Sequence, residues 1–174
     1  MTDRMFSDKE IKLLRSMLGK KLVYVQCDAF TFNNWVYQRV GLQLDGMKVE
    51  LTNVISVQNY FGAEEDICDF SIGMVDEFRS GLEDTPQIQI PVDFHISRIQ
   101  IVNETQSMNG VPKYRFVRGL VFIGANAREI AFEKTDDFSE QIAISRGKEL
   151  AKKFESSKIE EGIKVIREDR FFDS

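Results

Sequence analysis

His95 is the chain's sole histidine, and it stands between Asp93 and Ser97. In residues 87–97, Ile88, Ile90, Val92, Phe94 and Ile96 alternate with Gln89, Pro91, Asp93, His95 and Ser97. Positions i and i+2 of a strand project to the same side, so Asp93, His95 and Ser97 form a polar row. A Ser-His-Asp hydrolase needs the imidazole to take a hydroxyl proton while the acid holds the other ring nitrogen. A straight row along one strand does not make that convergence, and the chain has no Gly-x-Ser-x-Gly elbow. The row reads as a solvated strand face.

Metal chemistry finds no better footing. Cys27, Cys68 and His95 lie far apart in the chain, without the short ligand spacing of Cys/His zinc sites. The acidic run Gly62-Ala63-Glu64-Glu65-Asp66-Ile67-Cys68-Asp69 suggests Mg²⁺ or Ca²⁺ oxygen ligands, with Asp136, Asp137 and Glu140 as distant additions. It lacks the alternating acids, central glycine and final glutamate of an EF-hand loop. Gly119–Gly124 has the wrong glycine spacing for a nucleotide loop and an apolar interior that reads as strand. No catalytic residue, metal ligand or cofactor is assigned, and the chain leans away from being an enzyme.

Charge gives the sharper signal. The 174 residues carry a net charge of −5, but residues 61–90 hold Glu64, Glu65, Asp66, Asp69, Asp76, Glu77, Glu83 and Asp84 against Arg79 alone. That segment is −7, and the rest of the chain is slightly basic. Clustered acids speed encounter with a basic partner and select among partners. Glu64, Glu65, Asp66 and Asp69 are therefore candidates for binding a protein. Phe32 and Trp35, from the aromatic group Phe30, Phe32, Trp35 and Tyr37, are further candidates, as an exposed recognition loop; core filling is the competing reading. Arg146, Lys148, Lys152, Lys153 and Lys158 read as the wet face of a later helix. With Arg4, Lys9, Lys12, Arg15, Lys20 and Lys21 they form a positive surface if that helix adjoins the first one.

These residues need elements to hold them. Ser7-Asp8-Lys9-Glu10 has the capping-box spacing, followed by Ile11, Leu14 and Leu18 at helical intervals, with Leu13 and Met17 widening the stripe and Gly19 as a stop. Strands are expected over 21–28, 35–44, 48–52, 54–61, 87–97, 114–123, 128–133 and 163–167, with strand and loop competing over 64–76. Asp45-Gly46 marks a hairpin turn. Pro91 argues for an edge strand or a bulge, and the change of apolar phase at Ser97-Arg98 for a bend. A helix is expected from Asp137 or Ser139 to about Ser157, burying Ile142, Leu150 and Phe154. Gly147 weakens it, and 141–145 is also readable as strand.

A shift of 79 residues aligns two β segments, about 21–53 and 100–132, suggesting an internal meander duplication. The expected architecture is α+β in one globular domain, 1–174. A mainly antiparallel sandwich or barrel-like sheet carries an N-terminal helix and a helix near the C-terminus. Chain length allows a core without staples. The N-terminus lacks an apolar leader, no run reaches the ~20 apolar residues of a membrane span, and the two cysteines make no disulfide framework. A cytoplasmic protein with no membrane partner follows as expectation, and the negative charge argues against nucleic acid. The function expected is a non-catalytic binding protein presenting an acidic surface to a basic protein partner, in the manner of an inhibitor or immunity-type protein. The alternatives are a small-molecule-binding β domain and a carboxylate- or metal-dependent enzyme.

Overall fold

The computed structural model describes residues 1–30, 33–155 and 161–174. The capping box forms as the spacing dictates. The Ser7 hydroxyl accepts from the Glu10 N–H, and the Glu10 carboxylate accepts from the Ser7 N–H at 3.0 Å, starting α1 (Asp8–Met17). Ile11, Leu14 and Met17 are buried, and Gly19 takes φ 79 just beyond the end. The other oxygen of Glu10 accepts the Ile72 N–H at 2.9 Å, so the residue that caps the helix also fastens it to the sheet.

Among the described residues, eleven strands account for most of the chain. They are β1 (Thr2–Arg4), β2 (Lys21–Asp28), β3 (Trp35–Tyr37), β4 (Arg39–Leu44), β5 (Met47–Tyr60), β6 (Ala63–Met74), β7 (Gln87–Met108), β8 (Val111–Gly124), β9 (Glu129–Lys134), β10 (Gln141–Gly147) and β11 (Ile163–Asp173). The hydrogen-bonded order is β3-β10-β9-β8-β7-β2-β4-β5-β6, with β11 also on β7 and β1 parallel on β8. All other pairings are antiparallel.

β7 joins two ladders. Residues 87–95 pair with β2, whereas 96–108 run between β8 and β11. Two irregularities make the turn from one ladder to the other. Asp93 has φ 53, and the register slips between Ile96 and Arg98. The second is the bend that the change of apolar phase predicts. Pro91, opposite Tyr24, lies in the half of β7 paired on one side only and next to a register irregularity in β2, the edge-or-bulge setting that suits a residue without an N–H. Buried side chains from both ladders, among them Leu22, Leu42, Leu51, Ile99, Leu120, Phe122 and Phe132, meet in one apolar cluster with Leu14 and Met17 of α1. Each fully buried leucine contributes roughly 1.5–3 kcal/mol over an exposed one.

The expected C-terminal helix does not form. Residues 141–147 are instead β10, paired with β9 on one side and β3 on the other. Ile142 and Ile144 are buried at strand spacing, and Gly147 takes φ 146 where the strand ends. Two unsatisfied strand edges outweigh a weak helical pattern, because pairing with both gives backbone groups that point to either side of the strand a ladder partner. Among the described residues only a 3-10 turn, Leu150–Lys153, follows, so Arg146, Lys148, Lys152 and Lys153 share no helix face. Lys158 lies outside the described residues. Of the acidic stretch over 64–76, residues 64–74 are strand, within β6, and 75–76 lie beyond its end.

Each ladder carries a four-strand meander, β2-β4-β5-β6 and β7-β8-β9-β10. Their registers differ under the 79-residue shift. Leu42 pairs with Val49, whereas Val121 pairs with Ala131 rather than with Arg128. No helix among the described residues is long and apolar enough to cross a membrane.

Candidate functional site

The hairpin of β5 and β6 extends well past its neighbour. β4 pairs with β5 only over residues 47–52, while β5 and β6 continue together to Tyr60 opposite Ala63. Gly62 has φ 92 at the tip, a conformation glycine enters without steric cost. The distal half has two unlike faces. Val57 stands opposite Asp66 and Asn59 opposite Glu64, so these four share one side. Gln58 stands opposite Glu65, on the other.

One side anchors the hairpin. Gln58 donates to Asp69, which also accepts from the Tyr114 hydroxyl at 2.8 Å and from Arg4 Nε at 2.9 Å. The Tyr60 hydroxyl donates to Gln106 at 2.7 Å, and Gln106 Nε2 donates to Asp137 at 2.8 Å. Lys134 Nζ donates to the carbonyl oxygen of Cys68 and lies 4.5 Å from the centroid of the Phe116 ring. Lys134 is fully buried. Desolvation holds it below the ordinary lysine range, while the carboxylates of Asp137 and Asp69 pull the other way. Burial, then the charge of Asp69 and its hydrogen bond, push the Tyr114 phenol far upward. Burial also raises the Cys68 thiol to about 11. Asp69, Gln106, Tyr114, Lys134 and Asp137 are buried and each is hydrogen-bonded, which makes them a docking lattice rather than a reaction centre.

The other side is open. Val57 is 65% exposed and Ile55 41%, an apolar pair beside the exposed acids Glu64 and Asp66. Glu65 is also exposed, on the opposite face. The sequence candidates therefore separate. Glu64, Glu65 and Asp66 cluster near the tip, whereas Asp69 is turned inwards onto Arg4 and Tyr114. Asp76, Glu77, Glu83 and Asp84 follow the far end of β6, roughly 30 Å away at ~3.3 Å per strand residue. The −7 segment is thus two acidic regions with a buried carboxylate between them. Trp35 lies on β3, paired with Ala143 and 44% exposed; Phe32 lies outside the described residues.

Comparison with known protein families, with characterised proteins and with solved structures finds no match. The side chains themselves carry the functional reading.

The polar row on β7 does not converge. Asp93 Oδ1 lies 3.9 Å from Lys21 Nζ, Ser97 Oγ donates to the Ile123 carbonyl at 3.1 Å, and His95 is exposed. Among the described residues no group of three or more His, Cys, Asp or Glu side chains is placed to hold a metal ion. Cys27 and Cys68 are both buried and unlinked.

Two buried carboxylates hold structure elsewhere. Glu50 is paired with Arg39 at 2.7 Å and with Arg79 at 2.6 Å. Asp28 accepts the Leu82 N–H at 2.9 Å and a bond from Gln87, tying down the segment between β6 and β7. Gly81 is required there, since a Cβ would fall 1.7 Å from the Tyr37 carbonyl oxygen. The inward network was not read from the sequence, yet it left a trace. Lys134 continues the buried alternation of Ile130 and Phe132, an odd place for a lysine whose charge faces water.

Proposed function

We propose that this protein is a non-catalytic cytosolic binding protein that receives a basic protein partner on the open face of the β5–β6 hairpin. One observation carries the reading: Val57, 65% exposed, lies directly across the ladder from Asp66, with Ile55 and Glu64 on the same strand faces. An exposed β-branched pair beside acids suits a partner that buries its own apolar group and presents lysine or arginine to the rim. The anchoring of Gln58, Tyr60 and Asp69 keeps this face in place before the partner arrives, which lowers the ordering cost of association. The scaffold is read as one domain, 1–174, whose two meanders form a sandwich-like pair. Cys27 and Cys68, buried and unlinked, suit a reducing compartment. An inhibitor of a basic enzyme is the form of this function that the surface fits best, and Glu65 and Trp35 lie outside its central contact.

The test compares the wild-type chain with Val57→Asp and with the double variant Glu64→Lys/Asp66→Lys as bait in quantitative affinity capture from the source cell. A partner retained by the wild type, lost from both variants and released as salt rises is the expected result. Retention that is equal in all three proteins and insensitive to salt overturns the proposal.

A further inference from the structure

A cleft of about 580 Å³ opens beside the N-terminal half of β7, between it and the ends of β9 and β10. No residue of the β5–β6 hairpin lines it. Its floor is apolar and buried: Val92, Phe94 and Ile130 are 3%, 5% and 1% exposed. The floor is also firm, because the Phe94 ring is seated against the bare backbone of Gly124, where a Cβ would fall 2.5 Å from Cγ of the ring. Its rim is cationic. Arg128, Arg146 and Lys148 line the opening, and all three are exposed. Arg146 pairs with Ile130 in the ladder, so a rim cation and a floor side chain come from directly opposed positions.

Among the described residues none of these three cations has a carboxylate within ion-pair distance. The acid that lines the cleft is already engaged. Glu129 accepts the Glu149 and Leu150 N–H groups, one on each carboxylate oxygen, both at 3.1 Å. It thereby fixes the chain that leaves β10 and carries Lys148. Three positive charges and one negative leave the site at +2. Guanidinium groups present paired N–H donors that match phosphate oxygens, and the charge of a phosphomonoester dianion balances that of the site. An apolar floor below a charged rim is the usual build of a site that takes a ligand with one polar end.

We propose that this cleft binds a phosphomonoester of a small apolar or aromatic alcohol. The phosphate is held by Arg128, Arg146 and Lys148, and the organic part lies on Val92, Phe94 and Ile130.

Phenyl phosphate is the probe, titrated into the full chain by calorimetry and by amide chemical-shift mapping. Inorganic phosphate supplies the charge without the ring, and benzoate supplies the ring with a single charge. The expected result is one saturable site whose affinity for phenyl phosphate exceeds that for either control by tenfold or more and falls as salt rises. Shifts are expected at 92–94, 128–130 and 146–148. Arg128→Gln and Arg146→Gln should each weaken binding roughly tenfold, the loss associated with one hydrogen bond to a charged group. Lys113→Gln, on β8 away from the cleft, should leave it unchanged. Absence of binding, equal affinity for inorganic phosphate, shifts mapping elsewhere, or unaltered affinity in both arginine variants would each overturn the proposal.

Discussion

Lys134 and Cys68 meet across the interior: the ammonium of one, at the end of β9, donates to the backbone carbonyl of the other, in the middle of β6. This bond links the two ladders where the long hairpin leaves its neighbours, and it places a buried positive charge among Asp69, Asp137 and the Phe116 ring. Methionine fills a similar volume but cannot donate. Lys134→Met should therefore destabilise the protein by about 3 kcal/mol, because a buried carbonyl and nearby carboxylates lose their cation. The double variant Lys134→Met/Asp137→Asn should recover part of that loss, since it removes the uncompensated negative charge as well. Urea unfolding of the four proteins of this cycle measures the coupling, and strictly additive losses would refute it.

The thiols make a pH prediction with a definite sign. Burial, with the neighbouring charge of Asp28 adding to it, raises Cys27 from 9.0 to about 12, and burial raises Cys68 from 9.0 to about 11. An acid whose folded pKa is raised keeps its proton in the native state after the unfolded chain has lost it. The native state then binds more protons, so stability falls as pH climbs above 9. The slope contributed by each thiol approaches about 1.4 kcal/mol per pH unit. Tyr114 acts in the same direction and Lys134 in the opposite one, so the thiol contribution is read by difference. Unfolding free energy between pH 9 and pH 11 should decline less steeply in Cys27→Ala than in the wild type. Parallel curves for the two proteins would contradict the burial of this thiol.

Glu50 separates a buried ion pair from an exposed one on a single oxygen atom. Both Arg39 and Arg79 reach Oε1, but the Arg39 side chain is 22% exposed and that of Arg79 is 60%. Removing Arg79 should cost less than about 1 kcal/mol, as for most exposed pairs. Glu50→Ala should cost roughly 3 kcal/mol or more, because Arg39 then keeps a largely buried charge without its partner. Arg39→Ala should fall between the two. Equal losses for both arginines in thermal or urea unfolding would show that depth does not govern this contact.

The chain's local chemistry was legible where one element sufficed to settle it. Ser7 and Glu10 at capping-box spacing make α1, Asp45-Gly46 makes the tight turn from β4 to β5, and the alternation from Ile88 to Ile96 makes the first half of β7. Residues 141–147 were not legible in the same way. Ile142, Leu150 and Phe154 satisfy a helical stripe, but Ile142 and Ile144 satisfy a strand equally well, and the choice fell to pairing with the preceding strand β9 and with β3, which lies far off in sequence. The candidate site divides along the same line. Acidity at Glu64, Glu65 and Asp66 was plain, whereas the inward turn of Asp69 depended on Arg4 and Tyr114 arriving from β1 and β8.

Composition, caps, turns and alternation by themselves determined an antiparallel β protein with one leading helix, because those signals act between neighbours a few residues apart. Only the tertiary structure decided which carboxylates face water, which lysine is buried, and how one acidic stretch becomes two surfaces. Burial and charge pairing are properties of what packs against a side chain, and here the partners come from strands tens of residues away.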